Sequence, residues 1–421
     1  MTGAHLHDKV ASRHEGGRVL TLPAISRRVA DIAQSAAIAV DQKVRELRAS
    51  GKDVIGLGSG EPDFDTPDNI KQAAIDAIWA GRTKYTVVDG IPDLKAAIAD
   101  KYRRENGLVF EPSQISVGAG GKQIITNAFA ATIDPGDEVI VPAPYWVTYP
   151  DSAKVWGAVP VVVECPQAQG FKLLPDQLDA AVTERTKWLI INSPSNPSGA
   201  TYSADELNAL AAVLRNHPHV LIMSDDIYEH IVFDDRPFTT LLQVAPDLAD
   251  RVLIVNGVSK TYCMTGWRIG YGAGPKPIIQ AMAKMQGQTT THPSSIGQYA
   301  TIEALNGDQS SLATHRDAYR ARRDHVVAAL NDCDGIDCLN PEGAFYVYPS
   351  CAGTMGKTAP NGVTLKNDED FALALLDCEG VAIVHGAAFG LSPHFRITTA
   401  AADETLVEAC KRIRRFCAGL E

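Results

Sequence analysis

Several features that mark large classes of protein are missing from this 421-residue chain. No apolar run approaches the ~20 residues needed to span a bilayer. The runs present are short, such as Trp188–Ile191, so no membrane partner is expected. Positive charge is not in excess: Lys and Arg total 39 against 50 Asp and Glu, a formal charge of −11. A general electrostatic grip on nucleic acid needs a basic surface, and that partner too is not expected. The eight cysteines, at 165, 263, 333, 338, 351, 378, 410 and 417, include no CxxC pair. Their spacing argues against a zinc site and for reduced, mostly buried thiols, and no metal is expected. Internal repeats and low-complexity tracts are absent, and 45% apolar with 21% charged residues is ordinary globular composition. Residues 1–20 carry charges and histidines but no apolar h-region, so they read as a disordered extension, not a secretory signal. A cytoplasmic location is the expectation that follows.

What is there points to an α/β fold. Between about 115 and 275 short β-branched runs recur: Val139–Val141, Val161–Val163, Leu189–Ile191, Val220–Ile222 and Val252–Val255. Continuous apolar runs of this length suit strands buried on both faces, as in a parallel sheet. Helical patterns lie between them; Ser203-Ala204-Asp205-Glu206 is a capping box ahead of Leu207, Leu210, Ala211 and Leu214. Beyond about 310, Arg-rich helical stretches precede short strands at Ala344–Tyr348 and Val381–Val384 and a final helix, a smaller α+β pattern. The expectation is a large domain with a mostly parallel sheet flanked by helices, plus a smaller α+β domain. The expected boundaries are an extension at 1–20, an arm and part of the small domain at 21–64, a large domain at 65–310 and a small domain at 311–421.

Ligands of open α/β sheets bind beyond the carboxyl ends of the strands, so the residues following each run carry the chemistry. Leu189–Ile191 is followed by a segment ending Asn196-Pro197-Ser198-Gly199, and Val220–Met223 by Ser224-Asp225-Asp226-Ile227-Tyr228. Val252–Val255 leads to Ser259-Lys260 and then Gly266-Trp267-Arg268. An amide, a carboxylate with a phenol, and an amine with a guanidinium are thus delivered to one crevice. Pyridoxal phosphate fits each group. Lys260 supplies an amine that can condense with the aldehyde. Asp225 can hold the pyridinium proton, Asn196 and Tyr228 can bond the ring's phenolic oxygen, and Ser259 and Arg268 can hold the phosphate. Gly118-Ala119-Gly120-Gly121-Lys122 follows Ile115–Val117 and offers Gly120, Gly121 and Lys122 as an anion cradle for the cofactor's phosphate. Its spacing is not that of a Walker A loop.

With these residues in hand, the sequence resembles the fold-type I pyridoxal-phosphate aminotransferases over roughly residues 22 to 417. The resemblance is carried by SPSNPSG, SDDIYEH and SKTYCMTGWRIGY; GEPDFDTP, TKY, GGKQ and APYWVTYP are similar to the bacterial aspartate aminotransferases of the prokaryotic subgroup. EGAFYVYPSCAG is similar to the rhizobial members. The resemblance implies further roles. Gly60 would meet the substrate's α-carboxylate through its backbone, Trp146 would stack on the pyridine ring, Arg396 would fork onto the α-carboxylate, and Trp146 and Asn196 would also contact the substrate. Tyr85 would reach the phosphate of a neighbouring subunit, implying a homodimer with shared sites, and Lys122 would help hold an acidic substrate's distal carboxylate. Two departures stand out. Related prephenate-active enzymes carry Lys and Thr in a KPSAT segment where this chain reads Ala33-Gln34-Ser35-Ala36-Ala37, which removes two polar substrate contacts. His292-Pro293 replaces small residues in a loop that the family places near the dimer's active site.

The function expected is ping-pong transamination from an L-amino acid, aspartate or glutamate, to 2-oxoglutarate or oxaloacetate, with Lys260 as the catalytic base and acid. Trp146, Tyr149 and the altered 33–37 segment leave open a broad-specificity or aromatic aminotransferase. A non-catalytic sensor module on the same scaffold is the more distant alternative; it would need an attached DNA-binding domain, and the residues before Thr21 are too few for one.

Overall fold

The computed structural model describes residues 26–30, 32 and 36–421; the extension at 1–20 lies outside the described residues, as do positions 33–35. A seven-stranded sheet forms the larger part. Its spatial order is Ile115–Gly118, Gly270–Ala273, Val252–Gly257, Leu221–Asp225, Thr186–Asn192, Glu138–Ala143 and Val159–Glu164. Six of these strands run the same way, and Gly270–Ala273 alone is antiparallel to its neighbours.

The apolar runs explain the layering. Successive side chains on a strand point to opposite faces. Trp188 and Ile190 therefore join one buried cluster, with Phe129, Met223 and Leu253, while Leu189 and Ile191 join another, with Leu207, Leu210 and Ile222. Both faces are covered by helices, so the strands need no polar face. The helix Ala204–Asn216 begins at its capping box: Ser203 Oγ accepts from the Glu206 amide at 3.2 Å, and Glu206 Oε2 accepts from the Ser203 amide at 2.8 Å. It buries Leu207, Leu210, Ala211 and Leu214. Truncating one such leucine to alanine costs about 2–5 kcal/mol.

A second core gathers Phe371, Phe395, Ile413 and Phe416 around a three-stranded sheet in the order Val384–His385, Phe395–Thr398, Tyr346–Val347. The early segment is tied to it, because Ile55–Gly56 pairs in parallel with Val381–Ala382. The final helix, Asp403–Ala418, packs Leu406, Ile413 and Phe416 into this core. Seven of the eight cysteines are buried, Cys378 is half-buried, and all eight are free thiols. Among the described residues no helix is long and apolar enough to cross a membrane.

Candidate active site

The parallel strands direct their carboxyl ends at one cavity of about 260 Å³. Asn192 and Asp225 are the last residues of their strands, and Ser259 and Lys260 follow the end of Val252–Gly257. Trp146 follows Glu138–Ala143, and Gly121 and Lys122 follow Ile115–Gly118. All seven side chains or backbones line the cavity, together with Gly60, Tyr149, Asn196, Tyr228, Tyr346, Arg268 and Arg396. Among the described residues that line it, four are cations and Asp225 is the one acid. In a chain of net charge −11 the cavity is therefore a local electropositive funnel for anions.

Lys260 Nζ donates to the Gly60 carbonyl at 2.5 Å. Burial, and next the Arg396 guanidinium, push its amine down to about 8, which puts the uncharged, proton-accepting form within reach near neutral pH. Asp225 is only 3% exposed. Its Oδ2 accepts from the Tyr149 hydroxyl at 2.6 Å and its Oδ1 from the Ile227 amide at 3.3 Å. Burial still lifts its carboxyl to about 6, against those two donors. A buried carboxylate of this kind has room in its energetics for a cation. Tyr149 and Tyr228 are held neutral because burial, with Asp225 beside the first and Tyr346 beside the second, raises both phenols well above their usual range.

The anion cradle is built by close approach. Gly120 precedes the helix Gly121–Thr132 with φ +85°, and a Cβ there would collide with the Arg268 guanidinium. A Cβ on Gly270 would strike the Gly121 amide nitrogen. Two small residues thus let the strand, the helix N-terminus and the arginine converge at a helix start, where backbone N–H groups lack intrahelical partners. Arg268 itself sits at φ +56°, and Nη1 donates to the Thr265 carbonyl at 2.9 Å. A non-glycine residue in this region costs on the order of 1 kcal/mol, and such strain gathers at functional sites. Lys122 Nζ lies 5.3 Å from the Trp146 ring centroid, and burial with Arg268 nearby lowers its pKa.

At the other end, Arg396 Nη1 donates to Asn196 Oδ1 at 2.9 Å and Nη2 to the Gly58 carbonyl. The guanidinium lies 4.6 Å from the Tyr346 ring centroid and 4.9 Å from that of Phe389, and its buried Nε has no hydrogen-bond partner among the described residues. The Tyr346 hydroxyl is 2.9 Å from that of Tyr228, and a Cβ on Gly60 would collide with it.

Of the residues singled out in the sequence, Lys260, Asp225, Asn196, Tyr228, Ser259, Arg268, Gly60, Gly121, Lys122, Trp146 and Arg396 line this one cavity, and Gly120 packs against Arg268 behind it. Tyr85 does not line it: the side chain is 90% exposed and stands edge-on to His292, with centroids 5.6 Å apart. His292 lies outside the cavity too, with Nδ1 at 2.7 Å from the Pro293 carbonyl. Sequence reasoning assigned no role to Asn192 or Tyr346, and treated Tyr149 only as a source of apolar tolerance. The signal was available for Asn192, the residue closing its strand, since the argument from strand ends applies to it equally.

The cavity suits pyridoxal phosphate on its own donor set: an amine, a buried acid lacking a cation, a glycine-built anion cradle with an arginine, and an aromatic wall. A pyridoxal-phosphate-dependent enzyme is the class that this fold and this site define. The model of the family "Aminotransferase class I and II" matches residues 52–413, and the chain belongs to that family. It is 61% identical over 396 residues to the aspartate/prephenate aminotransferase of Cereibacter sphaeroides, covering 94% of this chain and 99% of that one. The solved aspartate aminotransferase from Rhizobium meliloti is 50% identical with a TM-score of 0.92, covering 94% of this chain and all of that one. The Thermus thermophilus aspartate aminotransferase solved with maleate is 41% identical with a TM-score of 0.88, over 94% of this chain and 100% of its own.

Proposed function

We propose that this aminotransferase moves the amino group of L-aspartate or L-glutamate to 2-oxoglutarate or oxaloacetate. The carrying observation is the pair of cations, Lys122 and Arg396, lining the same cavity as Lys260. One monocarboxylate would need a single clamp; a dicarboxylate suits two. The relatives named for aspartate, and the one solved with a second dicarboxylate, maleate, support the same reading.

When bound, pyridoxal phosphate supplies the aldehyde carbon that stores the amino group between two half-reactions and a ring that withdraws electrons from the substrate's α-carbon. Asp225 would face the ring nitrogen and keep it protonated. Gly120, Gly121, Ser259 and Arg268 would hold the phosphate, Trp146 would cover the ring, and Asn196 and Tyr228 would bond its phenolic oxygen. Arg396, positioned by Asn196 and the Gly58 carbonyl, grips the α-carboxylate and fixes which bond of the α-carbon faces Lys260. Gly60 adds its backbone to that grip. The Lys260 amine, depressed to about 8, takes the α-proton on Nζ and returns it, so one side chain serves as base and then acid. Lys122 reaches the distal carboxylate.

The same reading makes the enzyme a cytoplasmic homodimer. Free thiols throughout fit a reducing compartment. Ile75, Ile78, Trp79, Tyr85 and Val87 are each exposed, Trp79 at 85%, apolar surface of the kind a second copy would cover. Tyr85 would then serve the neighbouring phosphate.

A donor panel tests the substrate. Lys122→Ala should lower kcat/KM for aspartate at least about tenfold, the loss of one charge-assisted bond, while leaving phenylalanine nearly unchanged. An unchanged aspartate-to-phenylalanine ratio would instead favour the broad or aromatic reading, for which the Trp146 and Tyr149 walls speak. Prephenate belongs in the acceptor panel because the 61% identical relative is named for it. The absent Lys and Thr of the KPSAT segment predict that it reacts more slowly than oxaloacetate.

A further inference from the structure

Between the strands Val252–Gly257 and Gly270–Ala273 the chain makes an irregular excursion that carries both Lys260 and Arg268. Two of its non-glycine residues, Cys263 at φ +53° and Arg268 at φ +56°, adopt the left-handed conformation. Such residues persist only where their surroundings over-determine them. The segment from Gly60 to Thr66, distant in sequence, is bound to this excursion at several points. The Gly60 carbonyl accepts from Lys260 Nζ at 2.5 Å and the Glu61 carboxylate accepts from the Thr265 hydroxyl. Thr66 is nearly buried, and its one hydroxyl uses both of its capacities. It donates to the Cys263 carbonyl at 2.7 Å and accepts from the Trp267 indole N–H at 3.0 Å.

These two partners are not arbitrary. Cys263 is the first left-handed residue, and Trp267 immediately precedes the second. A single oxygen therefore ties together the two bends of the stretch from Lys260 to Arg268. We propose that Thr66 is a positioning residue, which touches neither cofactor nor substrate but fixes the spacing between the amine that takes the aldehyde and the guanidinium that takes the phosphate. The proposal rests on the aminotransferase site described above and deepens it.

The comparison is between Thr66→Val, which keeps the shape and removes the hydroxyl, and Thr66→Ser, which keeps the hydroxyl. Each protein is stripped of cofactor and titrated with pyridoxal phosphate, followed by the visible absorbance band and its titration with pH. Thr66→Val should raise the dissociation constant about tenfold, equivalent to about 1.4 kcal/mol, and shift the pH midpoint of the band; Thr66→Ser should restore both. Should Thr66→Val fail to fold, Trp267→Phe removes only the indole donor and should move both readouts in the same direction by a smaller factor. Wild-type affinity and an unmoved midpoint in Thr66→Val, with only the melting temperature lowered, would mean that Thr66 merely stabilises the fold and would overturn the proposal. A wild-type protein with no visible band would remove the parent reading, and this one with it. Normal wild-type binding alongside unaffected Thr66→Val removes this one alone.

Discussion

Asp225 shows how one residue can oppose stability and serve chemistry. Its carboxyl rises from an ordinary 3.8 to about 6 because burial outweighs the Tyr149 and Ile227 bonds. The folded cofactor-free protein therefore holds this proton more tightly than the unfolded chain. The stability it contributes is fully present below pH ~4 and is lost as pH rises through about 6. Above that, Asp225→Asn should stabilise the cofactor-free protein by on the order of 2 kcal/mol, read as a raised midpoint in urea at pH 7.5 with little change at pH 4. The same variant should lose most transaminase activity, since a neutral amide cannot hold the ring proton. Lys260 has the opposite profile along the pH axis: its amine falls from 10.5 to about 8, so its penalty is present below pH 8 and is relieved as pH climbs toward 10.5. At this scale the sequence was legible where a polar residue follows an apolar run, as with Asp225 and Lys260. Tyr149 and Tyr346 escaped because aromatic residues in apolar surroundings read as core. Only the fold reveals that the first hydroxyl meets Asp225 and the second meets Tyr228.

Among the elements, the helix Gly121–Thr132 matters through its start. Gly120 stands at φ +85°, where side chains are disfavoured, and its missing Cβ leaves the space that Arg268 occupies. Gly120→Ala should therefore displace Arg268 and weaken pyridoxal phosphate binding by at least about tenfold, measured by equilibrium dialysis, a cost within the ~1–3 kcal/mol typical of such backbone strain. Wild-type affinity in that variant would show that the cradle does not need the close approach. The parallel strands were readable because each carries an apolar run. The strand Gly270–Ala273 was not, since GYGA has no such run. It forms because Ile115 and Ile254 on either side both register opposite Ala273, and its glycines allow the backbone to lie against the helix start.

For the whole molecule, the question is what covers the exposed Trp79 and Tyr85. Trp79 is 85% exposed and Tyr85 90% exposed, and on the proposed dimer a second copy would withdraw both from water. On the proposed dimer with shared sites, Trp79→Asp should shift the protein from two chains to one in sedimentation equilibrium and lower activity in parallel, because Tyr85 would no longer meet a neighbouring site. A dimer of unchanged strength would place the interface elsewhere. None of this was legible from composition; the TKY motif raised the question, and exposure of its tyrosine gives it a physical basis.

On the proposed function, Lys260 bonds the cofactor's aldehyde. Borohydride treatment of the holoenzyme, followed by proteolysis and mass spectrometry, makes that bond permanent and locates it. One reduced pyridoxal-phosphate adduct per chain is expected, on the peptide carrying Lys260, and none after prior conversion with excess aspartate. An adduct on Lys122 or any other lysine, with Lys260 unmodified, would contradict it.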